Sequence, residues 1–148
     1  MDKKLTELIA KLLPVPYVHE GRDYSGLDCG GLILLFYRDY LKIRLPDMHG
    51  YNPHWGYKGK NYFIDDYYQF FIPVKIPQLS DIVLFRNNKE ICDHGGVVLT
   101  GGEFLHCHRH VGVSINRYGA IPWSRRPGGF YRLKPKYQEA FRIPNGED

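Results

Sequence analysis

The hydrophobic periodicity of this chain changes once along its length, and that change restricts its fold more than any other feature. Leu5, Leu8, Ile9, Leu12 and Leu13 recur at helical spacing, predicting a first helix that Pro14 and Pro16 must end. Residues 32–41 are strongly apolar, with Arg38 and Asp39 to one side, and predict a mostly buried second helix starting at about Cys29. From residue 82 the pattern becomes short runs between turn signals, with strands expected at 82–85, 96–99, 103–107, 111–115 and 129–133. The Gly101-Gly102 pair makes the second and third of these a hairpin. Helices first and an antiparallel meander after them predict an α+β fold, its helices packed on an antiparallel sheet of about five strands.

The middle and the end of the chain carry weaker signals. Residues 46–55 are rich in Pro, Gly, His and Asn and read as a loop; 61–71 suit a short helix with Asp65 and Asp66 outward, closed by Pro73 and Pro77. The 148 residues fit one domain, with 14–135 as its core and 136–148 as a loosely ordered tail.

Composition removes several classes of function. The net charge of +4 is spread along the chain apart from Arg125-Arg126 and the tail, which argues against a nucleic-acid partner. Residues 1–13 are charged and amphipathic, unlike a signal peptide or a membrane span. Three cysteines without regular spacing argue against a disulfide framework and for synthesis in a reducing cytoplasm. The 12 tyrosines suit either a groove for an extended amphipathic substrate or a small β-rich core.

The chemistry concentrates at three points. Asp28-Cys29-Gly30-Gly31 stands where a loop becomes a helix, with Asp28 placed to cap it. Unpaired N–H groups and the helix dipole there favour thiolate over thiol, and thiolate is the nucleophile. The two glycines cost roughly 1 kcal/mol each in helix propensity, so something other than helix stability selects them. Asp93-His94-Gly95-Gly96 opens a strand that can aim His94 at the helix terminus as the base a thiol needs. His106 would lie on the neighbouring strand once the Gly101-Gly102 turn closes, placed to fix the tautomer of His94.

These residues resemble the NlpC family of papain-like cell-wall cysteine peptidases. In that family an Asp-Cys-Ser/x-Gly-Leu motif precedes a helix and a His-x-Gly strand follows. The matching positions are Asp28, Cys29, Gly31 and Leu32, then His94 and Gly96, with His106 in the third catalytic position. Leu45-Pro46, the strand of residues 80–85 and Pro16-Tyr17 extend the resemblance over residues 14–115. Gly30 stands where Ser is common. The segments Tyr37-Arg38-Asp39, Ile43 with Leu45-Pro46-Asp47, Asp93-His94-Gly95-Gly96 and Trp123-Ser124-Arg125-Arg126 are similar to the tail-associated branch of the family in long-tailed phages. The resemblance implies hydrolysis of peptidoglycan stem peptide at the γ-D-glutamyl to diaminopimelate bond, by a virion tail-tip protein with tail proteins as partners and with neither cofactor nor membrane. It implies Cys29, His94 and His106 as catalytic residues. Tyr17, Asp28 and Gly30 are expected on the substrate or oxyanion side, with the Cys29 N–H and Tyr17 as the oxyanion pair.

Two other readings compete. Cys92, His94, His106, Cys107, His108 and His110 carry zinc-ligand chemistry, but their spacing matches no usual zinc motif, and strand alternation separates Cys107 from the histidines. A non-catalytic tail component could also keep the fold, although assembly alone needs neither the cysteine nor the two histidines.

Overall fold

In the computed structural model, residues 2–47 and 68–145 are described. The predicted loop beyond residue 47 and most of the predicted helix at 61–71 therefore lie outside the described residues.

The first helix, α1 (Lys3–Leu12), is capped by the Asp2 carboxylate, which accepts from Leu5 N at 2.7 Å. Leu5, Leu8, Ile9 and Leu12 bury its apolar stripe, and Leu13, the last of the periodic leucines, turns outward at the helix end. A small ribbon of β1 (Arg22–Asp23) and β2 (Gly26–Leu27) leads into α2 (Cys29–Phe36). That helix continues as a π-helical turn, Tyr37–Leu41, and stops at Lys42, whose φ of 57° is left-handed. Its apolar surface is buried almost all round, as the unbroken run of large side chains requires.

A six-stranded antiparallel sheet forms the other layer. It comprises β3 (Phe71–Val74), β4 (Ile82–Arg86), β5 (Cys92–Val98), β6 (Glu103–His108), β7 (Gly112–Arg117) and β8 (Pro127–Leu133), in the order β3-β8-β4-β5-β6-β7. The five strands read from sequence are all present. The sixth, β3, covers the end of the segment expected to be helical: its Phe71 is buried while Ile72 and Pro73 are exposed. Proline is tolerated there because β3 is an edge strand.

Two further boundaries differ from expectation. Strand β5 begins at Cys92, four residues before the expected start at 96, with Gly95 and Gly96 paired within the ladder opposite Leu84 and Val83. The end of the chain, expected to fray from 136, instead forms α3 (Pro135–Ala140), with Pro135 at the first helical position. Tyr137 and Phe141 stack on each other and meet Phe70 edge-on, and Ile143 is buried beside the bridge from Arg142 to Ile43. These aromatic contacts hold the segment.

Helix α2 packs on β5 and β6, with Leu32, Ile33, Leu35 and Phe36 against Val97, Leu105 and Cys107 in the main core. A second cluster, Val83, Phe85, Val98, Phe104 and Trp123, fills the opposite face of the sheet. Helix α2 therefore rests on the inner strand β5 and its neighbour β6.

Candidate active site

The turn that opens α2 is held by one carboxylate. Asp28 is 2% exposed, and its two oxygens accept from Gly31 N at 2.8 Å, from Glu20 N at 2.9 Å and from Arg22 Nη1 at 2.8 Å. It was expected both to cap the helix and to stand on the substrate side. The structure shows the cap, with three donors on its oxygens. Gly31 is required by the same packing: a Cβ there would lie 2.1 Å from Gly21 O and 3.0 Å from Arg22 Nη1. Gly30, half-buried, occupies the first turn beside Cys29. The first N–H groups of a helix have no partner within it, so Cys29 and Gly30 present donors at this end.

Cys29 is half-buried, whereas Cys92 and Cys107 are buried. The Gly95 N–H of β5 bonds its sulfur, so the thiol meets the sheet one residue from His94. Burial pushes the Cys29 thiol up, the Asp28 carboxylate adds to this, and the Gly95 bond opposes it. The helix terminus was expected to favour the thiolate. Burial acts against that preference.

His94 lies on an inner strand, not at a sheet edge. Its Nε2 is 2.7 Å from Nδ1 of His106 on β6, and Nε2 of His106 is 2.7 Å from Oδ1 of Asn116 on β7. A single row of hydrogen bonds thus crosses three strands. Gly96 makes the closeness of β5 and β6 possible, since a Cβ there would lie 2.5 Å from Leu105 O and 3.0 Å from the His106 Cβ. Burial drives the His94 pKa well down, and the neighbouring His106 and His108 act in the same direction. His106 is lowered to about 4, again chiefly by burial, with the Asn116 bond opposing. Both rings are neutral near pH 7.

Trp123 completes the wall. It is 8% exposed, lies nearly parallel to His94 with ring centres 5.3 Å apart, and meets His106 edge-on at 4.9 Å. Arg126, just beyond it, donates to Asp93 Oδ1 at 2.9 Å and to Arg86 O at 2.7 Å, tying the Trp123–Arg125 turn to β4 and β5. Tyr17 is half-buried near enough to Cys29 for their charges to interact. Its hydroxyl pKa is raised to about 12, by burial first and then by Cys29 and Asp28, so it remains a proton donor.

The structure thus joins His94 directly to His106, brings Cys29 to Gly95, the residue after His94, and sets Tyr17 near enough to Cys29 for their charges to interact. The cysteines and histidines of 92–110 do not converge in the manner of a zinc centre. Cys107 Sγ bonds Leu27 O at 3.0 Å on the helix side of the sheet, and among the described residues no three His, Cys, Asp or Glu side chains are grouped as a metal would need. Sequence reasoning missed Asn116, whose signal is the polar alternation Ser114-x-Asn116 on the strand paired with His106. It also gave Trp123 no role in the site.

The model of the NlpC/P60 family matches residues 14–132, a span that contains every residue of this site. The chain belongs to the NlpC/P60 family. Solved structures agree on the fold of this family member. The NlpC/p60 domain of the peptidoglycan hydrolase SagA is 19% identical, with a TM-score of 0.54 over 88% of this chain and 96% of that one. An NlpC/P60 family protein from Bacillus cereus is also 19% identical, with a TM-score of 0.65 over 89% of this chain and 40% of its own. A lipoprotein-like member from Staphylococcus aureus reaches 22% identity and a TM-score of 0.63, over 90% of this chain and 42% of its own. This chain therefore spans about two fifths of the latter two. No curated protein matches it.

Proposed function

We propose that this NlpC/P60 member is a cysteine peptidase that hydrolyses peptidoglycan stem peptides, with Cys29 as nucleophile, His94 as general base and acid, and His106 as the group that orients His94. The observation that carries the reading is the junction of the two elements. The Cys29 sulfur takes the Gly95 N–H, and the adjacent His94 has its Nε2 committed to His106 at 2.7 Å, so Nδ1 is the nitrogen assigned to the thiol in this proposal. The peptidoglycan hydrolase SagA, whose domain has the same fold, supports the substrate class.

Burial disfavours both the thiolate and the imidazolium, so the resting pair is a thiol and a neutral imidazole. Attack then couples to proton transfer. His94 Nδ1 takes the thiol proton as sulfur bonds the substrate carbonyl carbon, and the resulting oxyanion lies toward the Cys29 N–H and the Tyr17 hydroxyl. The imidazolium gives that proton to the departing amine, leaving a thioester. Water, deprotonated by the same nitrogen, releases the acid and restores the thiol.

The finer reading is cleavage between γ-D-glutamate and diaminopimelate, by a protein made in the cytoplasm and carried in a phage or prophage tail tip. It rests on the likeness of Tyr37-Arg38-Asp39, Asp93-His94-Gly95-Gly96 and Trp123-Ser124-Arg125-Arg126 to the tail-associated branch. Digestion of purified peptidoglycan of the diaminopimelate type, with mass-spectrometric assignment of the new ends, tests the bond. Fragments beginning with a free diaminopimelate amine are expected; fragments cut only in the glycan strands would refute the reading.

A further inference from the structure

The row of hydrogen bonds behind Cys29 does not end at His106, and its last member decides where the protons lie. His106 Nε2 faces Asn116 Oδ1 at 2.7 Å, and the same oxygen lies 3.3 Å from the Ser114 hydroxyl, which donates to it. An amide oxygen accepts only. His106 Nε2 must therefore carry the hydrogen, its Nδ1 must be a lone pair, and that lone pair must accept from His94 Nε2–H. The unprotonated nitrogen of His94 is then Nδ1, the atom a thiol proton requires. Were a donor to face His106 instead, both rings would reverse, and His94 Nδ1 would already hold a hydrogen.

We propose that Asn116 is a positioning residue that sets the tautomers of His106 and, through it, of His94, so that the base is ready to accept the Cys29 proton. The inference rests on the peptidase reading for its catalytic consequence, but the tautomer assignment stands on geometry alone. Strand β7 supplies the placement: His106 is paired opposite Ser114, and Asn116 follows two residues later on the same face. Asn116 is exposed, which leaves its amide nitrogen in water, where it needs no protein partner. An exposed strand residue also carries little packing, so substitutions there test the hydrogen bond and not the fold. The Ser114 hydroxyl is 3.3 Å from His106 Nε2 as well, but it is the longer contact and is already spent as a donor to Asn116.

The test exchanges the acceptor for a group of fixed polarity and reads tautomer and turnover separately. Asn116→Asp only accepts, Asn116→Lys only donates, and Asn116→Ala does neither. Nitrogen-15 NMR of the imidazoles in the wild type should show His94 and His106 both protonated on Nε2. Asn116→Asp should keep that pattern and the hydrolysis of stem peptide. Asn116→Ala and Asn116→Lys should depopulate it, Lys more than Ala, and slow hydrolysis on the order of tenfold or more, as loss of an orienting outer partner does elsewhere. Wild-type tautomers and rates in both Ala and Lys variants would overturn the role of Asn116, as would loss of the pattern in the Asp variant. If the wild type hydrolyses no peptide, the peptidase reading fails instead, and the NMR comparison still decides what Asn116 does.

Discussion

His94 Nε2 and His106 Nδ1 lie 2.7 Å apart across the β5–β6 hairpin, with both side chains buried. One ring must donate and the other accept, so the orientation of His94 depends on its neighbour. His106→Ala removes the acceptor and should lower turnover, by up to ~10⁴ if the loss compares with that of an orienting group in the best-studied triad. His106→Asn and His106→Gln retain an amide oxygen for His94 Nε2–H and should keep more activity. Steady-state kinetics of the three variants check this order. Equal rates in all of them would mean that His106 does not orient His94.

The same burial makes stability depend on pH. Both histidines have folded pKa values below their unfolded value of about 6.5, His106 at about 4. Between those values the unfolded chain binds more protons than the folded one, so stability rises with pH across this window and levels off above it. Full loss of the His106 contribution is on the order of 3 kcal/mol. Urea unfolding at pH 5 and pH 7.5 should show the fall at the lower pH, and His106→Gln should flatten the slope. An unchanged slope in that variant would separate His106 from the effect.

Thiol reactivity should be selective. Cys92 and Cys107 are 2% and 1% exposed, and burial raises the Cys107 thiol to about 12, while Cys29 is half-buried at the start of α2. Iodoacetamide under native conditions should label Cys29 first, as peptide mapping would show. Because burial also raises the Cys29 thiol, its labelling should slow when His94 is replaced by Ala. Preferential labelling of Cys92 or Cys107 would contradict the site.

Asp28 is the structural keystone of the turn that opens α2. Asp28→Ala removes the cap of α2 and the partner of Arg22, whose other carboxylate contact is Asp47 at 3.0 Å. The expected cost is roughly 2–4 kcal/mol, between that of a lost cap and that of a broken buried ion pair. Asp28→Asn keeps an acceptor for Gly31 N and should cost less. Denaturant midpoints check both, and an Ala variant as stable as the wild type would show that the cap contributes nothing.

The order of elements was legible because each relies on local periodicity: the leucine stripe of α1, the apolar run of α2 and the Gly101-Gly102 turn, with φ values of 69° and 83°, all act over a few residues. The placement of Cys29 at a helix start and of His94 and His106 on paired strands was legible because glycines and strand spacing mark it. What was hidden depends on long-range contact. Strand β3 is stabilised by pairing with β8, α3 by Phe70 and the bridge to Ile43, and the thiol pKa by how deeply α2 sits on the sheet. Asn116 was hidden because its partner is another strand's side chain, and Trp123 because only the folded chain returns it to His94.

The central claim is that the Cys29 sulfur, served by His94, breaks a peptide bond of the cell wall. The most direct test measures hydrolysis of a stem tetrapeptide by the wild type and by Cys29→Ala, after thermal melting has shown that both are folded. A small side chain at a helix start carries little packing, so the melting free energy should change by no more than roughly 1–2 kcal/mol. The account predicts release of a new amine by the wild type and none above background by the variant. Equal release by both folded proteins, or none by the wild type, would contradict it.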